Sequence, residues 1–461
     1  MLNLKEVNAY PRYFQYTAQS QHVNFSALCH AKKYQQSGCF FDGQARQPTL
    51  FAKALVTLSQ IIRADFSPKP KPVYDPIVTV EQENLRFEGF SSCNSMYIRL
   101  DVGKNALMGH FFAQGSTHVN FNDPILTALS TLKKEQNLHF RISHDAVHMQ
   151  VNDTYFTEQK VKLSPRWVKA LTEVTYELAQ LDEKMHLNSV QSRQFWQILP
   201  KKSESKTLYL QQKFQHCQLS PIAHKEGVAL QALERLQLLQ VLAPYIDQIK
   251  IYQKNQHGSC ALVFSLPNMQ LTCLLSPSVT RGFSGEGQYL DDLLHDLPLD
   301  WVAQALQHVQ KNALIKQPTF QTESAMSERQ KQQLKTTLSA MGVVGFDLDQ
   351  QDYFYRDLPM HLQHILSLNP RLKHAQQLLD QQKISSLIQQ GQRIEAHVQG
   401  SEDRHTVLIQ ASQAQCTCEW FQRHQHHRGF CQHILAVKVA SREQVPNVAH
   451  STQDHSVIRL H

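Results

Sequence analysis

Three thiols and one imidazole near the end of the chain constrain it more than any other stretch. They run Cys416-Thr417-Cys418, twelve residues, then Cys431-Gln432-His433. Three thiolates and an imidazole are the N/S complement that closes a tetrahedral structural Zn²⁺ site. Residues two apart in an extended segment face the same side, so Cys416 and Cys418 can reach one ion. Cys431 and His433 open a run with Ile434, Leu435, Val437 and Val439, which predicts a helix. At its start the free N–H groups and the positive end of the dipole favour thiolate over thiol. Ahead of the pairs, residues 393–398 and 406–409 read as strands joined at the turn-forming Gly400-Ser401-Glu402-Asp403. The expected unit is a ββα knuckle closed by metal, a kind usually unfolded without its ion. His424, His426 and His427 lie between the pairs and could compete with His433. The run from Arg423 to Arg428 is otherwise polar, which reads as a solvent-facing loop.

The remainder describes the body that carries this knuckle. A chain of 461 residues suggests roughly three domains. With 41% hydrophobic and 18% charged residues it is an ordinary globular chain and not a disordered one. A formal charge of +7 permits nucleic-acid or acidic-protein partners without demanding them, and 25 histidines add charge as pH falls toward 6. Nine cysteines, six of them scattered ahead of the cluster, do not form a disulfide pattern. No apolar leader and no membrane-length apolar run is present, so the expectation is a cytoplasmic protein without membrane contact.

The fold class expected is α+β: a multidomain body of mixed helices and antiparallel sheet, followed by the finger. Residues 1–72 read as a helical segment and a linker, with a helix starting at Gln47-Pro48-Thr49 and a stiff Pro-rich run ending at Pro72. Residues 73–188 read as an α+β domain with half-buried strands at 77–80, 85–90 and 96–102 and a helix after Ser164-Pro165. Residues 189–320 read as a second α+β domain, with a buried α-helix over 227–243 built on Leu230, Leu233, Leu236, Leu239 and Leu242. Residues 321–384 form a helix-hairpin unit in which a helix capped by Ser327 precedes two strands. That order also ends a winged helix, which could lie on DNA. A further helix is expected over 372–390, leading to the finger at 385–450. The metal supplies the finger's stability locally, so residues 1 to about 380 are expected to fold without it.

Enzymatic chemistry finds little support. The stretch from Arg281 to Gly287 is rich in glycine but lacks the Lys-Ser/Thr ending of a phosphate loop, and reads as a turn. Asp101, Glu286 and Asp347 are acids without a paired base or metal motif, and the chain is expected to be no enzyme.

The C-x-C-x12-C-x-H order followed by Ile434-Leu435-Ala436 resembles the SWIM zinc finger, a family associated with DNA binding or protein–protein contacts. The resemblance implies zinc ligands at Cys416, Cys418, Cys431 and His433, with the small residue at Ala436. Residues 87–91, 115–120, 281–287, 344–347 and 353–356 are similar to segments of bacterial SWIM zinc finger proteins. Members of that group often accompany a MoxR-type AAA+ ATPase and a von Willebrand factor A-domain protein, which the resemblance therefore implies as partners. The expectation is a zinc-stabilised, non-enzymatic adaptor, and its rival is a DNA-binding protein. In the inter-ligand loop, Trp420, Phe421 and Phe430 are expected to pack under the metal. That leaves Arg423, His426, His427 and Arg428 to meet a partner or nucleic acid.

Overall fold

The computed structural model describes residues 38–67, 76–201, 207–255, 258–277, 279, 282–284, 289–294, 297–311, 326–358, 360, 367–410, 413–424 and 428–443. The helical reading of residues 1–37, the prolines at 68–72, Arg281, Glu286 and Gly287 lie outside the described residues.

Gln47-Pro48-Thr49 starts a helix as its proline predicts. The helix α1 (Pro48–Arg63) buries Leu50, Phe51, Ala54, Leu55, Leu58, Ile61 and Ile62 along one stripe. Ahead of it the chain is a strand and not a helix: β1 (Cys39–Ala45) buries every second residue. It lies in a five-stranded antiparallel sheet ordered β5 (Leu107–Phe111), β1, β7 (Leu138–Ser143), β8 (Ala146–Val151) and β9 (Thr154–Gln159).

The central sheet has eight antiparallel strands. They run β10 (Asp182–Leu187), β14 (Gln248–Gln253), β15 (Cys260–Leu266), β16 (Met269–Leu275), β4 (Met96–Gly103), β3 (Asn84–Phe90), β2 (Ile77–Val80) and β6 (Gly115–His118). The segments 73–188 and 189–320 thus share one sheet, joined where β10 pairs β14 and β16 pairs β4. A smaller sheet orders β12 (His216–Ser220), β11 (Leu208–Lys213) and β13 (Val228–Leu230).

Beside α1 lie α2 (Asp123–Ser130), α3 (Pro165–Leu178), α4 (Ser189–Ile198), α5 (Leu290–Leu293), α6 (Leu299–Lys311), α7 (Glu328–Ala340) and α8 (Pro370–Asp380). Ser164 caps α3 and Ser327 caps α7, each accepting from a first-turn N–H, as their sequences predict. Gly89 on β3 admits α1 and α3 to the sheet, because a Cβ there would lie 2.5 Å from Ile62 and 2.8 Å from Trp167.

Further expectations change. Residues 227–243 are not an α-helix: β13 is followed by a 3₁₀ helix, Leu233–Tyr245. Leu233, Leu236, Leu239 and Leu242 recur every third residue. Three residues per turn stacks them in one buried row, which a 3.6-residue turn would fan around the axis.

Residues 384–390 are a strand and not the continuation of α8, which stops at Asp380. Finally, β3 and β4 are buried on both faces, so their alternating polar residues do not meet water.

Those residues meet the hairpin of β17 (Val344–Asp347) and β18 (Asp352–Tyr355). Arg86 on β3 donates to Glu81 at 3.2 Å, to Asp347 at 2.9 Å and to Asp101. Arg99 on β4 donates to Asp101 at 2.9 Å and to the Phe346 carbonyl at 2.6 Å. Arg356 donates to Glu88 at 2.9 Å, and the Tyr97 hydroxyl donates to the same carboxylate at 2.7 Å. The Phe354 ring lies 4.2 Å from the Arg86 guanidinium and 5.0 Å from that of Arg99.

The structure therefore brings Asp101 and Asp347 together, but as partners of two guanidiniums in a closed interior. Glu286 lies outside the described residues. Against the winged-helix reading, both strands of this hairpin are buried, Phe354 and Arg356 fully, and only its turn at 349–351 is exposed.

The described residues of the Arg281–Gly287 stretch, 282–284, hold a bend at Phe283. Gly282 has φ +55, and a Cβ there would meet the Asn94 carbonyl at 2.3 Å. Phe283 N–H donates to that carbonyl at 2.7 Å, fastening the bend onto the β3–β4 connection.

Candidate metal centre

The last sheet is antiparallel and ordered β19 (Ile384–Gln390), β20 (Arg393–Gln399), β21 (Arg404–Gln410) and β22 (Gln413–Cys416). It is followed by α9 (Glu419–His424) and α10 (Gln432–Glu443). The two strands expected are β20 and β21, and the turn at 400–403 joins them. Register puts Leu387, Ala396, Val407 and Cys416 in one row on the inner face, toward α10.

Cys416 ends β22, and its Sγ accepts from Cys418 N–H at 3.4 Å. Cys418 stands before α9, and its Sγ accepts from Phe421 N–H at 3.4 Å. Cys431 stands before α10, and its carbonyl accepts from Leu435 N–H at 3.1 Å. His433 is in the first turn of α10, with Nδ1 3.7 Å from the Cys416 Sγ. All four side chains are buried, and one ligand atom from each lies within 4.8 Å of the others.

The four residues picked from spacing are thus brought together by a strand end and two helix starts. The donor set fits a tetrahedral ion with Zn–S near 2.3 Å and Zn–N near 2.0–2.1 Å, distances that place neighbouring ligand atoms roughly 3.5–4 Å apart.

The electrostatics fit as well. Hydrogen bonding from Cys416 and Cys431 holds the Cys418 thiol far below its ordinary value. The same bonding to Cys418 pushes Cys416 up to about 12, and bonding to Cys416 and Cys418 drives Cys431 higher still. The three sulfurs lie close enough to hydrogen-bond one another, and binding a cation requires the thiols to give up their protons.

Three neighbours are not evident from motif spacing. The His405 ring stacks 4.4 Å from that of His433, and burial holds its pKa below the ordinary value. Gln432 reaches His433 Nε2 at 3.4 Å and so addresses the nitrogen away from the sulfurs. Arg371 on α8 donates to the carbonyls of Arg428 and Phe430, both at 2.8 Å, and lies 4.7 Å from the Trp420 ring. It thereby fixes the backbone that delivers Cys431. Arg371→Leu is expected to keep the fold but loosen metal retention about 10–100-fold in a chelator competition, the usual cost of removing an outer-shell support.

Of the aromatics expected under the metal, Phe421 is buried in the finger's core, and Trp420 and Phe430 pack against it half-buried. Among the proposed contact residues, Arg423 is exposed but paired with Glu419 one turn earlier. Arg428 is half-buried, its carbonyl held by Arg371. His426 and His427 lie outside the described residues.

The finger is not a detached unit. Leu435 and Ala436 belong to the core of the body, α8 packs along α10, and Lys438 Nζ donates to Asp291 on α5 at 2.6 Å.

Residues 397–441 match the family model of the SWIM zinc finger. A comparison with curated proteins finds no match. Among solved structures, the chain is similar to proliferating cellular nuclear antigen from Entamoeba histolytica, at 12% identity and TM-score 0.36 over 52% of this chain and 99% of that one. It is also similar to a PCNA2–PCNA3 complex from Sulfolobus tokodaii, at 10% identity and TM-score 0.37 over 52% and 99%. The third is A. fulgidus PCNA bound to the C-terminal region of FEN-1, at 10% identity and TM-score 0.36 over 52% and 98%. No helix among the described residues is long and apolar enough to cross a membrane.

Proposed function

We propose that this chain, which carries a SWIM zinc finger at its C-terminal end, is a non-enzymatic adaptor whose finger holds a partner protein. The observation that carries the reading is the buried cluster of Cys416, Cys418, Cys431 and His433. All four ligand positions of a tetrahedral ion are filled by protein, the pattern of a structural site and not of a catalytic one, which keeps a position open.

Among the described residues, the outer face of the finger's sheet offers a surface to a partner. Register places Ile388, Glu395, Leu408 and Gln415 in one row across it, flanked by Gln390, Arg393, Gln410 and Gln413 on one side and Ser386, His397 and Thr406 on the other. Arg393 is paired with Glu395 at 3.4 Å. A nearly neutral, amide-rich face with two central aliphatics favours protein contact over a phosphate backbone, which asks for unpaired cations.

The resemblance to bacterial SWIM finger proteins nominates a MoxR-type AAA+ ATPase and a von Willebrand factor A-domain protein as partners. Co-purification with the ATPase of the same organism tests this. The double variant Ile388→Glu, Leu408→Glu is expected to keep its zinc and lose the ATPase at least tenfold, since charges placed at an interface centre typically cost more than 1.4 kcal/mol. Equal recovery with the variant would move the contact elsewhere, and no recovery with the parent would remove this partner class.

A further inference from the structure

The hairpin of β11 and β12 ends in a side chain that nothing in the fold requires. Lys213 pairs with His216, leaving a two-residue loop of Phe214 and Gln215. Phe214 has φ +51, the left-handed region that this kind of turn reserves for glycine or asparagine. Its side chain is 101% exposed. A bulky aromatic is disfavoured at that φ and gains nothing by standing in water, so folding alone selects against it.

The conformation is nevertheless built in. Gln191, fully buried on α4, donates from Nε2 to the Phe214 carbonyl at 2.8 Å, while its Oε1 accepts from Gln212 at 2.9 Å and from Asn188 N–H at 3.0 Å. Gln194 adds bonds to His216 at 2.9 Å and to Cys217 N–H at 3.0 Å. Gln212 also reaches the His186 carbonyl at 3.0 Å, tying the hairpin to β10. The tip is therefore a rigid mount that holds one aromatic ring outward.

Its surroundings carry cations. Lys213 and His216 flank the tip and are exposed, His186 is exposed on β10, and Arg193 is exposed on the solvent face of α4. Neither α4, β11 nor β12 contains a carboxylate. The acids of β10, Asp182 and Glu183, lie at the end of that strand away from His186 and Leu187. The exposed Asp247 stands beside Gln248, the partner of His186, on the β14 side and not on the hairpin.

We propose that this tip binds single-stranded nucleic acid, with Phe214 stacking on an unpaired base and Arg193 and Lys213 meeting the flanking phosphates. A ring in solvent finds its match in the exposed π-face of a base, which a duplex hides, and cations without carboxylates match a polyanion. The surface lies on the body, away from the finger's residues, and does not rest on the adaptor reading.

The test is fluorescence anisotropy of a labelled oligothymidylate of about 20 nucleotides against the full chain, with thermal unfolding measured alongside. Phe214→Gly is expected to leave the unfolding temperature unchanged or raised, because glycine relieves the strained φ, and to weaken binding about tenfold, the scale of one lost stack. The Arg193→Gln, Lys213→Gln double variant is expected to lower the slope of log K against log salt by about 1.4, as two single-strand phosphate contacts require.

Absence of binding by the parent overturns the proposal. So does equal affinity for the duplex, Phe214→Gly binding as well as the parent, or a lowered unfolding temperature in that variant, which would make the ring structural. Poly-glutamate binding as tightly as the oligonucleotide, with the same dependence on Phe214, would assign the tip to acidic proteins and likewise overturn it.

Discussion

Stripping the metal is expected to destabilise the whole chain, and not only residues 384–443. Metal analysis should give one zinc per chain, and the Cys416→Ala, Cys431→Ala variant should have none. The ion is the finger's main source of stability, since a small unit of this kind seldom holds without it. Ile434, Val437 and Phe421 then lose the core they share with the ligands. The damage does not stop there, because Leu435 and Ala436 on the opposite side of α10 are part of the body's core, and Lys438 is tied to Asp291. Exposing one leucine and its facing contacts costs roughly 2–5 kcal/mol. At about 2–4 °C per kcal/mol for a domain of ~200 residues, a chelator should lower the main unfolding midpoint by several degrees. A metal-free protein that keeps its main transition unchanged and loses only a small separate one would show the finger to be independent. Residues 1 to about 380 expressed alone are expected, for the same reason, to be less stable than the full chain.

The second large effect lies in the buried ion network. Arg86→Met leaves Glu81, Asp101 and Asp347 facing one another with only Arg99 to serve them, and is expected to cost about 3–5 kcal/mol in urea unfolding. Glu81→Gln should act in the opposite direction, with a pH signature. Burial raises the Glu81 carboxyl to about 7, against an ordinary 4.5, despite the attraction of Arg86. The native state thus binds its proton more tightly than the unfolded chain does. Relative stability is fully present below about pH 4.5 and is lost as pH rises through 7. A shift of that size corresponds to roughly 3 kcal/mol. The Gln variant should therefore match the parent near pH 4.5 and exceed it by up to about 3 kcal/mol at pH 8. A constant difference between the two proteins from pH 4.5 to 8 would count against the assignment.

What could be read from the sequence follows the range of the forces involved. The metal set was legible because four rare residue types at fixed spacing leave few alternatives, and the helix starts at Pro48, Ser164 and Ser327 were legible because caps are local. The alternation in β3 and β4 reveals strands but cannot say that Arg86, Glu88, Arg99 and Asp101 are buried; Asp347 lies 261 residues from Arg86 and Arg356 lies 268 from Glu88. The 3₁₀ helix reads as α from its richness in leucine, although leucines at every third position match a three-residue turn and would spread around the axis of an α-helix. The strand at 384–390 was hidden for a different reason. It is an edge strand with only Ile384, Leu387 and Ile388 to mark it, and its pairing with β20 supplies the rest. Phe214 carries no local signal at all, since its left-handed backbone is imposed by Gln191 from another element.

The join between β4 and β16 bears on how the protein is made. Strand β4 emerges early in synthesis, but the partner for its second edge follows only about 165 residues later, on the order of 10–30 s at ordinary translation rates. Until then the edge of β4 that β16 covers has no partner. It is the kind of open strand edge whose free N–H and C=O groups pair with other chains, and crowded polysomes bring such chains close together.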